Sequence, residues 1–120
     1  MIYIESKQKP VIISTGIATI EDIELAIKTC KAQGNNDITI LKCTSAYPAE
    51  PEDANLLTIP DIVNRFKVKS GLSDHTLGTE APVVAVALGA TVIEKHFILD
   101  KSIGGADAHF SLDEQEFTQM

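Results

Sequence analysis

The sequence predicts an α/β protein built from parallel βα units. Three observations carry that expectation. Short runs of β-branched residues, such as Val11-Ile12-Ile13 and Ile38-Thr39-Ile40, recur along the chain. Between them apolar residues fall at helical spacing, most plainly Ile20, Ile23, Ile27 and Cys30. Polar residues follow each β-branched run, where a strand would leave the core. Strands alternating with helices form a parallel sheet with right-handed crossovers.

Taken in order, Pro10 precedes the strand Val11-Ile12-Ile13, and Ser14-Thr15-Gly16 ends it. Thr19 opens a helix with Asp22 as its capping-box acid, and Gly34 closes it. A second strand covers 38–41, followed by a polar loop from Lys42 to Pro48 and an irregular segment from Ala49 to Leu57. A short helix is expected from Ile59 to Phe66. A third strand over 68–72 is weakened by Gly71. Thr79 to Leu88 is a helix closed by Gly89, and Thr91 starts a fourth strand running to Phe97. Gly104 to Asp107 is a turn. Ser111 caps a last helix near Asp113, with Glu114 completing the box.

Composition narrows the function. The net charge of −7 argues against a nucleic-acid binder, which would carry a basic patch. Cys30 and Cys43 belong to no CxxC pair, so they are expected to be reduced, buried thiols. No apolar run approaches the roughly 20 residues that span a bilayer. The opening MIYIESKQKP lacks the apolar region of a signal peptide, so a cytoplasmic protein is expected. No GxGxxG, Walker loop or GxSxG is present, which removes support for nucleotide binding and esterase chemistry.

The candidate site lies where the strands end. Ser14 and Thr15, then Lys42, Thr44 and Ser45, then Ser73, Asp74 and His75, then Glu94, Lys95 and His96 share one edge of a parallel sheet. That C-terminal edge is where α/β proteins bind ligands. His75 and His96 end consecutive strands, whose ends lie about 5 Å apart if paired. Two neutral imidazoles there can share a divalent ion and leave positions open for water or substrate. Alternation along a strand lets Glu94 and His96 face one interior while Lys95 points away. His109 lies beyond the last strand and is not counted as a ligand.

At these residues the chain resembles a known family. KPVIISTGIAT, LKCTSAYP, GLSDHTLG, VIEKHF and GGADAHFSLDEQEF look like successive barrel motifs of the sialic acid synthases and their relatives. The resemblance covers nearly the whole chain, in order and spacing. It implies the C-terminal half of a TIM-type (β/α)8 barrel, about four βα units over residues 1–120, without the family's antifreeze-like domain. A full barrel needs about 250 residues. It implies condensation of phosphoenolpyruvate with an N-acylated amino sugar and release of phosphate.

Carried over residue by residue, His75 and His96 match the two histidines that hold a divalent metal, manganese or magnesium. Ser14 and Ser73 match positions that hold phosphoenolpyruvate, and Ser45 and Tyr47 match positions near the sugar. Glu94 matches the acid at the sugar's reacting end, and Asp107 matches a sugar-contacting acid. Ser45 and the GGADAHFSL segment resemble the pseudaminic acid branch, with Ala106 standing where that branch has proline. The implied sugar is 2,4-diacetamido-2,4,6-trideoxy-altrose, with N-acetylmannosamine as the alternative. The resemblance also implies a homodimeric parent enzyme, and lysines on the earlier strands that neutralise the anionic substrate. The competing readings are an inactive fragment, another barrel lyase or aldolase, and a flavodoxin-like binding module. Lys42 holds a possible Schiff-base position, with no further signal for that chemistry.

Overall fold

In the computed structural model, which describes Tyr3 and residues 7–120, strands and helices alternate along the chain. The order is β1 (Val11–Ser14), α1 (Ile20–Ala32), β2 (Ile38–Cys43), α2 (Thr58–Phe66), β3 (Lys69–Asp74), α3 (Glu80–Ala87), β4 (Ile93–Lys95) and α4 (Glu114–Gln119). Short 3-10 turns occupy Pro51–Ala54, inside the segment expected to be irregular, and Lys101–Ile103.

All three strand pairings are parallel, and the sheet order is β1-β2-β3-β4. A doubly wound sheet reverses its strand order at a switch point. This sheet does not reverse, so each right-handed crossover carries its helix to the same face. That is the winding of a (β/α)8 barrel, and the molecule is a curled half-barrel.

The core follows from that winding. Val11, Ile38 and Ile40 point to the helix side and pack with Ile27, Cys30 and Ile62. Leu72 packs with Ile59 and Ala85 on the same side. A fully buried isoleucine contributes roughly 1.5–3 kcal/mol relative to an exposed one. The other face of the sheet carries Ile12, Ser14, Thr39, Leu41, Cys43, Gly71, Ser73 and Glu94, by strand alternation and register. Ile12 on that face is 53% exposed.

Local chemistry sets the helix ends. Thr19 and Asp22 form a complete capping box, with Asp22 N–H donating to Thr19 Oγ1 at 3.2 Å and Thr19 N–H to Asp22 Oδ2 at 3.0 Å. The Thr19 N–H bond first, and then a 2.8 Å bond from Thr19 Oγ1 to Asp22 Oδ2, hold the Asp22 carboxyl below its ordinary range. Pro82 sits in the first turn of α3, where its missing N–H has no intrahelical partner to lose.

Several boundaries differ from the sequence expectation, and β2 takes in Lys42 and Cys43 from the expected loop. β3 runs on to Asp74 because Gly71 belongs in it: a Cβ there would strike the Val92 carbonyl and a methyl of Leu41. β4 is confined to Ile93–Lys95. Ser111 does not cap α4. It is buried and donates its hydroxyl to Asp107 O at 2.8 Å, while Leu112 forms a parallel bridge with Phe97. The helix therefore starts after Asp113, which caps it with Glu116 rather than Glu114 as the box acid.

Candidate functional site

The β3–β4 register pairs Ser73 with Glu94 and Asp74 with Lys95, so His75 and His96 follow the last pair on neighbouring strands. Their ring centroids are 5.3 Å apart. The loop after β2 folds over them. Tyr47 lies 4.3 Å from His75 and 6.0 Å from His96, centroid to centroid. The Tyr47–Pro48 peptide bond in that loop is cis. Phe110 joins the cluster at 4.9 Å from His96 and 6.1 Å from Tyr47.

Each histidine has an identifiable neighbour at Nδ1. His75 Nδ1 donates to the Thr44 carbonyl at 2.9 Å, because a carbonyl can only accept. Its Nε2 then keeps a lone pair. Burial, the largest influence, pushes the His75 pKa below the ordinary 6.5, and nearby His96 pushes the same way, against the pull of the Thr44 bond. The ring is thereby held in the neutral form that binds metals. His96 Nδ1 lies 3.5 Å from Asp107 Oδ2. A carboxylate behind a histidine orients the ring and raises its basicity as a ligand.

Glu94 is exposed on the open face, and its Oε1 accepts a 2.6 Å bond from Ser73 Oγ. Ser73, matched by resemblance to a phosphoenolpyruvate position, is thus partnered with the carboxylate. Ser14 stands exposed at the end of β1, with β2 between it and β3. Two strand spacings, roughly 9–10 Å, separate it from the histidine strand. Ser45 is exposed beside Gly16. The structure therefore gathers Ser73, His75, Glu94, His96, Tyr47 and Asp107 into one constellation and leaves Ser14 and Ser45 at its margin.

Lys42 faces the helix side, not this constellation. Its Nζ donates to Thr44 Oγ1 at 2.6 Å and Cys43 O at 3.2 Å. It lines a cavity of about 200 Å³ with Thr15, Asp61, Arg65 and Phe66. Burial lowers its pKa from the usual 10.5. Lys95 also points away from Glu94, as expected, but into the protein: it forms a buried ion pair with Asp74. The sequence-derived site holds Asp74 and Lys95 but not their pairing, and it lacks Phe110 altogether. Opposite charges at matching positions of consecutive strands were the available signal for the pair. Phe110 follows His109 in the last motif, with nothing local to separate it from a core residue.

Comparison with known proteins bears out the family resemblance. Residues 1–120 match the NeuB family. The chain is 54% identical over 117 residues to the pseudaminic acid synthase of Campylobacter jejuni, covering 98% of this chain and 34% of that protein. It is 52% identical over 113 residues to the pseudaminic acid synthase of Helicobacter pylori, covering 94% of this chain and 33% of that one. The crystal structure of the spore coat polysaccharide biosynthesis protein spsE from Bacillus subtilis superposes with a TM-score of 0.94 at 44% identity, over 98% of this chain and 34% of that one. The chain thus spans about a third of the length of the curated relatives it matches. With motif order, strand winding and a match along its whole length in agreement, this chain belongs to the NeuB family.

Proposed function

We propose that this chain supplies the second half of the catalytic barrel of a phosphoenolpyruvate-dependent nonulosonic acid synthase, with the pseudaminic-type diacetamido sugar as co-substrate. The observation that carries the reading is the His75–His96 pair at the C-terminal strand edge, 5.3 Å apart, with His75 Nδ1 already engaged. The likeness to two pseudaminic acid synthases supports the choice of sugar over N-acetylmannosamine.

The donor set fits a divalent ion. Two imidazoles are available, and among the described residues no group of three or more His, Cys, Asp or Glu side chains gathers around a common point. The remaining positions fall to water or substrate oxygens, as a catalytic site requires. When bound, manganese or magnesium there would polarise the sugar's aldehyde oxygen. The chain's own residues do the rest. Ser73 fixes Glu94 through Oε1, which leaves Oε2 to hold a proton or orient a hydroxyl at the reacting carbon. Tyr47 and Phe110 flank the histidine pair and fix the aromatic surface beside it. Asp107 follows Gly104 and Gly105, both at positive φ, on the loop that contacts the sugar. The same reading makes the parent enzyme a cytoplasmic homodimer, with phosphoenolpyruvate neutralised by lysines outside this chain.

Isothermal titration of the chain with Mn2+ in the presence of phosphoenolpyruvate tests the reading. The wild type is expected to bind, and a His75→Asn/His96→Asn double variant to lose binding while keeping its fold. A folded wild type that binds no metal would sink it.

A further inference from the structure

We infer that the buried Asp74–Lys95 ion pair is a positioning device that sets the spacing of His75 and His96 from the helix side of the sheet. The inference rests on reading those histidines as a metal pair, and it concerns residues that touch neither metal nor substrate.

The geometry is specific. Asp74 and Lys95 are direct register partners, and each immediately precedes one of the histidines. Their side chains are 2% and 1% exposed. Lys95 Nζ donates to Asp74 Oδ2 and to the Thr76 carbonyl, the latter at 2.7 Å. Asp74 Oδ1 in turn accepts from Thr76 N–H at 3.0 Å and Thr76 Oγ1 at 2.9 Å. The residues on both sides of His75 are therefore tied to the residue that precedes His96. Register pairing of β3 with β4 ends at this very pair, so the backbone ladder does not extend to the histidines. The ion pair is the cross-strand tie adjacent to them in sequence, with the Ser73–Glu94 bond one register position earlier on the open face.

Stability alone is a poor reason for such a pair. Desolvating two charges offsets most of their attraction, and an apolar pair of similar volume often serves the fold as well. What an apolar pair cannot supply is direction. The pair and its Thr76 bonds fix the strand ends in both separation and rotation, acting on the histidines through the backbone and not through a bond to either ring.

The test is an Asp74→Asn/Lys95→Met double variant. Asparagine keeps an acceptor for Thr76, and methionine fills the lysine stem without donating. Three quantities are read: the thermal midpoint, Mn2+ affinity by titration, and ring-to-ring nuclear Overhauser contacts in the metal-free protein. The Tyr47–His75 contact serves as the internal reference, because it does not cross from β3 to β4. The expected result is a fold retained, a His75–His96 contact weakened against that reference, and Mn2+ affinity reduced by up to about 10-fold, the lower end of what a group bonded directly to a ligand contributes. An unchanged ring contact would overturn the inference. Should the double variant not fold, Asp74→Asn alone carries the test. Its amide offers a donor toward Lys95 or Thr76, so one tie is lost at constant volume. Collapse of both variants would make the pair a folding element and overturn the positioning role. A wild type that binds no Mn2+ removes the metal reading, while the ring contact still decides the spacing role.

Discussion

Burial and the Thr44 bond pull the basicity of His75 in opposite directions, and burial prevails. The consequence for stability has a definite sign. With its folded-state pKa below the unfolded 6.5, the unfolded chain takes up the proton first as pH falls. The contribution of His75 is therefore complete above pH 6.5 and declines as pH drops from there toward the folded pKa. Thermal midpoints measured from pH 8 to pH 5 are expected to fall through that window, and a His75→Asn variant to show a shallower decline. A midpoint in the wild type that rises on acidification through the same window would contradict the assignment. At this scale the sequence was informative about identity and poor about contact. The histidines, Glu94 and Tyr47 were legible because strand alternation and the motif pattern place them at one edge. The Ser73–Glu94 bond and the Asp74–Lys95 pair were not, because they depend on cross-strand register, which a single strand pattern does not specify.

Among the elements, β3 shows how a local rule yields to packing. Glycine weakens an isolated strand, and on that ground Gly71 counted against a strand over 68–72. In the folded sheet Gly71 is the residue that lets Leu41 and the Val92 carbonyl approach, and the strand extends past it to Asp74. A Gly71→Ala substitution is expected to cost about 1–3 kcal/mol, the usual penalty for overpacking, measured by urea unfolding. A neutral effect would mean that the β2–β3–β4 packing is looser than described. The capping box of α1 was legible because Thr19 and Asp22 act within one turn. That of α4 was displaced to Asp113 because Leu112 is held first by His96, with its N–H donating to the His96 carbonyl at 2.9 Å. That tie joins elements far apart in sequence.

For the molecule as a whole, the strand order decides between two architectures that share the same alternation of elements. A sequence of βα units reads alike for a doubly wound sheet and a barrel. Only the consecutive pairing β1-β2-β3-β4, or resemblance to a family, separates them. The result is a clustered core on the helix side of the sheet, while the open face mixes the fully buried Leu41 with the half-exposed Ile12. Ile40, fully buried on the helix side, is expected to cost about 2–5 kcal/mol when replaced by alanine. Ile12, its counterpart on the open face, is expected to cost less than about 0.5 kcal/mol in the same replacement. Chemical denaturation of the two variants compares the faces directly, and equal losses would mean that the open face is covered in solution.

The loop after β2 is closed on a single residue. Thr44 at its start accepts from the His75 ring, and Ala49 at its end donates its N–H to the His75 carbonyl at 2.9 Å. Tyr47 rides between those two anchors and is nevertheless 54% exposed. An exposed aromatic on a free loop must be immobilised by whatever binds to it, at about 0.5–1.5 kcal/mol for each side chain so ordered. Here the backbone beneath the ring is ordered when the chain folds. A ligand that stacks on Tyr47 meets a surface whose conformational entropy has already been surrendered, and more of its contact energy is left to appear as affinity.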